Sequence, residues 1–127
     1  TGGLGDDNLR VANTQSVRLH VGGGIGAGAD SIGIHGANAL VATVRTGGGG
    51  DDVAVTDSAF GLLAAGLGTG NDSLGLNGVT ARLALLSGSP GEEDLLALGE
   101  NMIAHQRVRG FELPPITDPN DDETNVA

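Results

Sequence analysis

Gly2-Gly3-Leu4-Gly5-Asp6-Asp7-Asn8-Leu9-Arg10 follows the pattern Gly-Gly-x-Gly-x-Asp-x-U-x, where U is a large apolar residue. Glycines in that order let the backbone turn tightly through conformations that other residues avoid. The turn aims carbonyl oxygens inward, and Asp7 adds a carboxylate. Leu9 then starts an extended segment, with Arg10 pointing to the opposite side. A single Gly-Asp turn carries little information, because such turns are common. What matters is whether it recurs at a fixed period.

It recurs. Gly5-Asp6-Asp7-Asn8-Leu9-Arg10-Val11 is followed by Gly28-Ala29-Asp30-Ser31-Ile32-Gly33-Ile34 and Gly49-Gly50-Asp51-Asp52-Val53-Ala54-Val55. Gly70-Asn71-Asp72-Ser73-Leu74-Gly75-Leu76 and Gly91-Glu92-Glu93-Asp94-Leu95-Leu96-Ala97 complete the series. The acidic residue moves from 7 to 30, 51, 72 and 93, with spacings of 23, 21, 21 and 21 residues. A fixed period of this size marks a solenoid.

Each period contains two apolar-alternating segments. Leu9 and Val11 alternate with Arg10, and Asn13-Thr14-Gln15-Ser16 is a polar turn. Val17, Leu19 and Val21 then alternate with Arg18 and His20. This period-two pattern predicts strands. The expected fold is all-β: a parallel β-solenoid (β-roll or β-helix) of about five turns of ~21 residues. Each turn has two short strands, with room for a third at the second corner. Five turns at ~4.8 Å give an axial length of about 24 Å. The predicted core is Leu9, Val11, Leu19, Ile32, Ile34, Val53, Val55, Leu63, Leu74, Leu76 and Leu95. Met102 to Val108 returns less clearly, and Ala104 to Phe111 reads as an irregular turn. After Phe111 the character changes. Residues 112–127 hold three of the four prolines and no glycine, and proline cannot join a ladder interior. The domain reading is therefore residues 1–111 as solenoid and 112–127 as a Pro-rich, acidic C-terminal tail.

Composition narrows the function classes. Glycine accounts for 24 of the 127 residues, and Phe60 and Phe111 are the only aromatics. The core must be thin, and a solenoid tolerates this because each turn packs on its neighbours. With no cysteine there is no disulfide framework. No apolar run is long enough to span a bilayer, so membrane insertion is not expected. All six basic residues are arginine, and the formal net charge of −10 argues against a nucleic-acid partner. Glu112, Asp118, Asp121, Asp122 and Glu123 lie in the tail, and several of the other acidic residues recur at one place in every turn. A row of cations suits that arrangement.

These residues resemble the RTX (repeats-in-toxin) calcium β-roll, and more loosely the degenerate Gly-Asp repeats of large bacterial surface proteins. The resemblance covers about residues 2–98. Thr46 and Leu67 depart from the first glycine of the motif, and Ser89 from the second. The resemblance implies a right-handed parallel roll, secretion, and calcium held between successive Gly-Asp turns. In RTX rolls the nonapeptide is tandem, so both edges bind. Here it occurs once per period, so a row of ions is expected along one edge at most.

Calcium takes six to eight oxygens, and stacked turns can share an ion between an Asp of one turn and carbonyls of the next. Asp7, Asp30, Asp51 and Asp72 are the first candidate ligands, flanked by Asp6, Asp52 and Asn71, with Glu93 in the last repeat. The competing reading is that these Asp residues only cap their turns through backbone N–H groups.

Other motifs carry less. Val21 to Gly28 is Gly-rich after a strand, yet no helix follows to face a pyrophosphate. His20, His35 and His105 share no spacing. Ser87 to Gly91 is not a nucleophile elbow. Asp51-Asp52 and Glu92-Glu93 point apart at a strand edge, and there is no aromatic platform for a sugar. Enzyme activity is therefore not expected, and a polysaccharide-active β-helix is the weakest class.

Two function classes remain. One is an extracellular, calcium-binding structural or interaction module at the cell surface. It would self-associate head to tail through its solenoid ends into a filament or surface array, or continue a longer solenoid. The alternative is a calcium-folded C-terminal repeat domain of a larger secreted enzyme or adhesin.

Overall fold

The computed structural model describes residues 1–89 and 93–111. Ten strands follow one another in pairs, two per turn, and no helix occurs among the described residues. The short strands are β1 (Asn8–Ala12), β3 (Ser31–His35), β5 (Asp52–Thr56), β7 (Ser73–Asn77) and β9 (Leu95–Leu98). The long strands are β2 (Gln15–Gly22), β4 (Asn38–Arg45), β6 (Ala59–Gly66), β8 (Thr80–Ser87) and β10 (Met102–Arg109). The short strands form one parallel sheet in the order β1-β3-β5-β7-β9, and the long strands form a second in the order β10-β8-β6-β4-β2. The expected parallel β-solenoid of about five turns is therefore the observed fold.

Register follows the repeat. Leu9 pairs with Ile32, Ile32 with Val53, Val53 with Leu74, and Leu74 with Leu96. Stacking equivalent residues puts one apolar column on another. Ile32, Ile34, Val53, Val55, Leu74 and Leu76 from the short sheet meet Ala42, Val44, Leu63, Ala84 and Leu86 from the long sheet in a single buried core. Leu9, Val11 and Leu19 are only partly buried, because the first turn has a neighbour on one side alone.

Three expectations need correction. Leu95 is 57% exposed, and Leu96 takes its place in the core. The segment Leu-Leu-Ala-Leu does not alternate, so pairing rather than pattern sets its facing. Val17 is 70% exposed although it falls in an alternating run. The register between β2 and β4 omits Val17 and Leu40, where the alternation breaks, and both side chains are exposed. Ala104 to Phe111, read as an irregular turn, instead continues the return that starts at Met102: Met102–Arg109 is a regular eight-residue strand, and Phe111 behind it is buried in the core. The tail, residues 112–127, lies outside the described residues, as do Gly91 and Glu92.

Turn stacking explains the glycines of the motif. A Cβ built on Gly28 would collide with the carbonyl oxygen of Gly5, one on Gly49 with that of Gly28, and one on Gly70 with that of Gly49. Gly49 and Gly70 also sit at φ of 117° and 129°, which other residues rarely adopt. By contrast, a Cβ on Gly33, in the middle of β3, would meet nothing within 4 Å. Gly49→Ala should therefore lower unfolding free energy by several kcal/mol, as expected when clash and backbone strain combine. Gly33→Ala should be neutral or stabilising by up to about 1 kcal/mol, because it restricts the unfolded chain. Urea unfolding followed by circular dichroism checks the pair. Equal effects would rule out carbonyl stacking as the reason for the glycine column.

Candidate functional site

The edge between each long strand and the next short strand carries the motif. Residues 7, 30, 51 and 72 each immediately precede a short strand, so the repeat delivers their side chains to one line. The Asp7 N–H donates to Oδ1 of Asp30 at 2.9 Å, and the Asp30 N–H to Oδ1 of Asp51 at 2.8 Å. Asp51 donates likewise to Asp72, and Asp72 to Asp94, both at 2.9 Å. A backbone bond runs the other way at each step: the Ser31, Asp52, Ser73 and Leu95 N–H groups donate to the carbonyls of Asp7, Asp30, Asp51 and Asp72, all at 2.8 Å. Each pair of turns is thus joined by two opposed bonds around one carboxylate.

The second carboxylate oxygen faces its own turn. Gly3 N–H donates to Oδ2 of Asp7 at 2.6 Å, and Ser89 N–H donates to Oδ2 of Asp94. Gly23 and Gly88 leave room for this, since a Cβ on either would strike the Asp30 or Asp94 carboxylate. Asp30, Asp51, Asp72 and Asp94 are all buried, Asp51 at 2% exposure and Asp94 at 0%. In Asp51 the Oδ2 atom is buried without a hydrogen-bond partner. Its turn carries Thr46 in place of the first motif glycine, and the Thr46 hydroxyl donates instead to the Leu67 carbonyl at 2.5 Å.

The fifth member of the column is Asp94, not Glu93. The step from Asp72 is 22 residues, one longer than the preceding two, and the β7–β9 pairing places the extra residue before the strand. Glu93 is exposed, and its N–H donates to Oδ1 of Asn71 at 3.2 Å. Asp6 is also exposed and accepts from the Ala29 N–H at 2.8 Å. Asp52 is exposed beside the column and accepts from the Ser73 hydroxyl at 2.6 Å. The flanking candidates thus form an outer line, while the four principal Asp residues and Asp94 form the inner one. Among the described residues, no three His, Cys, Asp or Glu side chains converge as a metal-binding group. A six-to-eight-oxygen shell would have to draw on carbonyls, on Asp51 Oδ2, or on the outer line.

No protein-family model, curated protein or solved structure matches this chain. The geometry of the edge itself therefore has to carry any functional reading.

The opposite corner has its own column, which the repeat reading passed over. Asn13 and Asp57 adopt φ of 50° and 48°, and Gly36 and Gly78 adopt 65° and 69° at the equivalent positions. Asn, Asp and Gly are the residues that tolerate this left-handed conformation. Their recurrence at the same period was the available signal. One residue further on, the Ser58 hydroxyl accepts from the Ala37 N–H at 3.1 Å, and Asn101 Oδ1 from the Val79 N–H at 2.9 Å. The three histidines are not brought together. His20 lies on β2 and His105 on β10, while His35 at the end of β3 meets Thr56 and Asp57.

Asp51→Ala removes the acceptor of the buried Asp30 N–H and should lower stability by about 1–3 kcal/mol. Asp51→Asn keeps an Oδ1 acceptor and should cost less than half as much. Urea titration of both variants without metal is the check. Equal losses would mean that the charge, and not the hydrogen bond, holds the column.

Proposed function

We propose that this chain is a structural or interaction module of the cell surface or extracellular space, built to be continued at its ends. The observation that supports this reading is the polarity of the carboxylate ladder. Every step runs from an Asp N–H to the Oδ1 of the next turn's Asp. Oδ1 of Asp7 stands where the N–H of a preceding turn would donate. The N–H of Asp94 stands where a following turn's carboxylate would accept. The two ends are therefore complementary halves of one joint. Among the described residues, strands β1, β2, β9 and β10 are the outermost of the two sheets, the position from which a further strand pairs. Half-buried Leu9, Val11 and Leu19 at one end, and exposed Leu98 and Met102 at the other, offer apolar surface to a further turn. That turn comes from another copy or from a longer solenoid. Copies joined head to tail make a heterologous contact, which yields open filaments when it does not close.

Light scattering and electron microscopy across a concentration series test this reading. Concentration-dependent linear assemblies are expected, and Asp7→Ala should weaken them while leaving the internal turns folded. A chain that stays monomeric at all concentrations sinks the copy-to-copy form.

One observation favours the second reading, a calcium-folded repeat domain of a larger secreted enzyme or adhesin. Asp51 Oδ2 is a buried carboxylate oxygen without a partner, and such a group costs stability unless something compensates it. A calcium ion at the Gly-Asp edge would do so, with Asp52 and Asn71 near the same rungs. Ion binding to the folded state would raise stability by about 2.7 kcal/mol at a hundredfold excess over Kd. The measurement is thermal unfolding in chelator against millimolar calcium, in the parent chain and in Asp51→Asn. Superimposable melts for the parent chain would remove calcium from this reading.

A further inference from the structure

The charges of this chain are segregated by face. Five of the six arginines, Arg18, Arg45, Arg82, Arg107 and Arg109, lie on the long-strand sheet, and all five are exposed. Strands β2, β4, β6, β8 and β10 contain no acidic residue at all. Among the described residues none of these arginines makes an ion pair, and the one pair present joins His35 to Asp57 at the far corner. A protein of net charge −10 thus keeps one sheet face purely cationic.

That face is not flat. A trough of about 400 Å³ runs across β4, β6, β8 and β10. Ala64 and Gly66 form its small-residue floor, Arg45 stands on one rim, and Arg107 and Arg109 stand on the other. Arg45 pairs with Gly66, Gly66 with Ser87, and Ser87 with Arg109, so the rims are three rungs apart. At ~4.8 Å per rung the separation is about 14 Å. Arginine suits carboxylates here, because its planar fork can hold both oxygens.

We propose that the occupant of this trough is the chain's own acidic C-terminal segment, residues 112–127. It contains Glu112, Asp118, Asp121, Asp122 and Glu123 and no basic residue. It begins beside the trough, since Phe111 is anchored in the core two residues beyond Arg109. Crossing three rungs takes about five extended residues at ~3.3 Å each, and the segment has 16. A single-stranded nucleic acid fits less well. Phe60 and Phe111 are both buried, and no aromatic ring lines the trough to stack a base. A duplex or an anionic bilayer would also meet the acidic edge. Exposed ion pairs are individually weak, so the contact is multivalent and sensitive to salt.

The chain has no cysteine, so Asn125→Cys gives a unique site for a nitroxide label on the full-length protein. At low salt the label should reduce amide NMR intensities severalfold at residues 43–45, 64–66 and 85–87, and leave the short-strand sheet unaffected. The effect should disappear in ~0.5 M salt, where the Debye length is about 4 Å. It should also disappear in Arg45→Gln/Arg107→Gln/Arg109→Gln, whose spectrum elsewhere is unchanged. Broadening spread over both sheets, or none in the trough, overturns the proposal. Broadening seen only when labelled and isotope-enriched copies are mixed assigns the face to a second molecule and overturns it. So does polygalacturonate that binds the trough without displacing the label, since the face would then belong to an external polyanion.

Discussion

The fold depends on one repeated contact: a backbone N–H of one turn given to a carboxylate oxygen of the next. Without it, the Gly-rich edge would leave donors unpaired where the chain leaves one sheet and enters the other. Irregular backbone normally stays at the surface for that reason. Here the corner is buried, and Asp30, Asp51, Asp72 and Asp94 supply the missing acceptors. The paired backbone bonds from the residue after each Asp hold the same rung from the other side. Glycine is coupled to this. The carboxylates reach their positions because Gly23 and Gly88 have no side chain in the way, and the turns approach closely because Gly28, Gly49 and Gly70 have none.

Once that edge is set, the rest follows from translation along the axis. Equivalent residues stack, so a column is apolar, polar or charged as a whole. The core columns carry Ile, Val, Leu and Ala, and the chain needs hardly any aromatic residue to fill so narrow a space. The same rule segregates charge. Carboxylates repeat at the corner, arginines collect on the outer face of the long sheet, and neither invades the other's column over the described turns. Translation also leaves two open ends of opposite hydrogen-bonding character, since every step of the ladder points the same way.

Because the motif repeats locally, most of this was legible in one dimension. Asp7, Asp30, Asp51 and Asp72 could be aligned by counting, and Ile32, Ile34, Val53, Val55, Leu74 and Leu76 by period-two alternation. Counting failed where the period changed by one residue. Glu92, Glu93 and Asp94 are three consecutive acids followed by two leucines, so neither the acidic nor the apolar pattern marks which of them continues the column. A one-residue slip exchanges the two faces of a strand. That is why the same ambiguity moved both Glu93 for Asp94 and Leu95 for Leu96.

The solenoid, its turn number and the line on which the carboxylates fall can be read along the chain, because those features are written at a fixed spacing. What the carboxylates do is set by the packing of one turn on the next. An Asp side chain presents two oxygens, and whether they meet a neighbouring turn's N–H, their own turn's N–H or neither depends on positions brought together from some 21 residues away. The exposure of Val17 and Leu40 and the buried anchor at Phe111 are of the same kind. Each is set by which strand lies alongside, and local pattern holds no record of that.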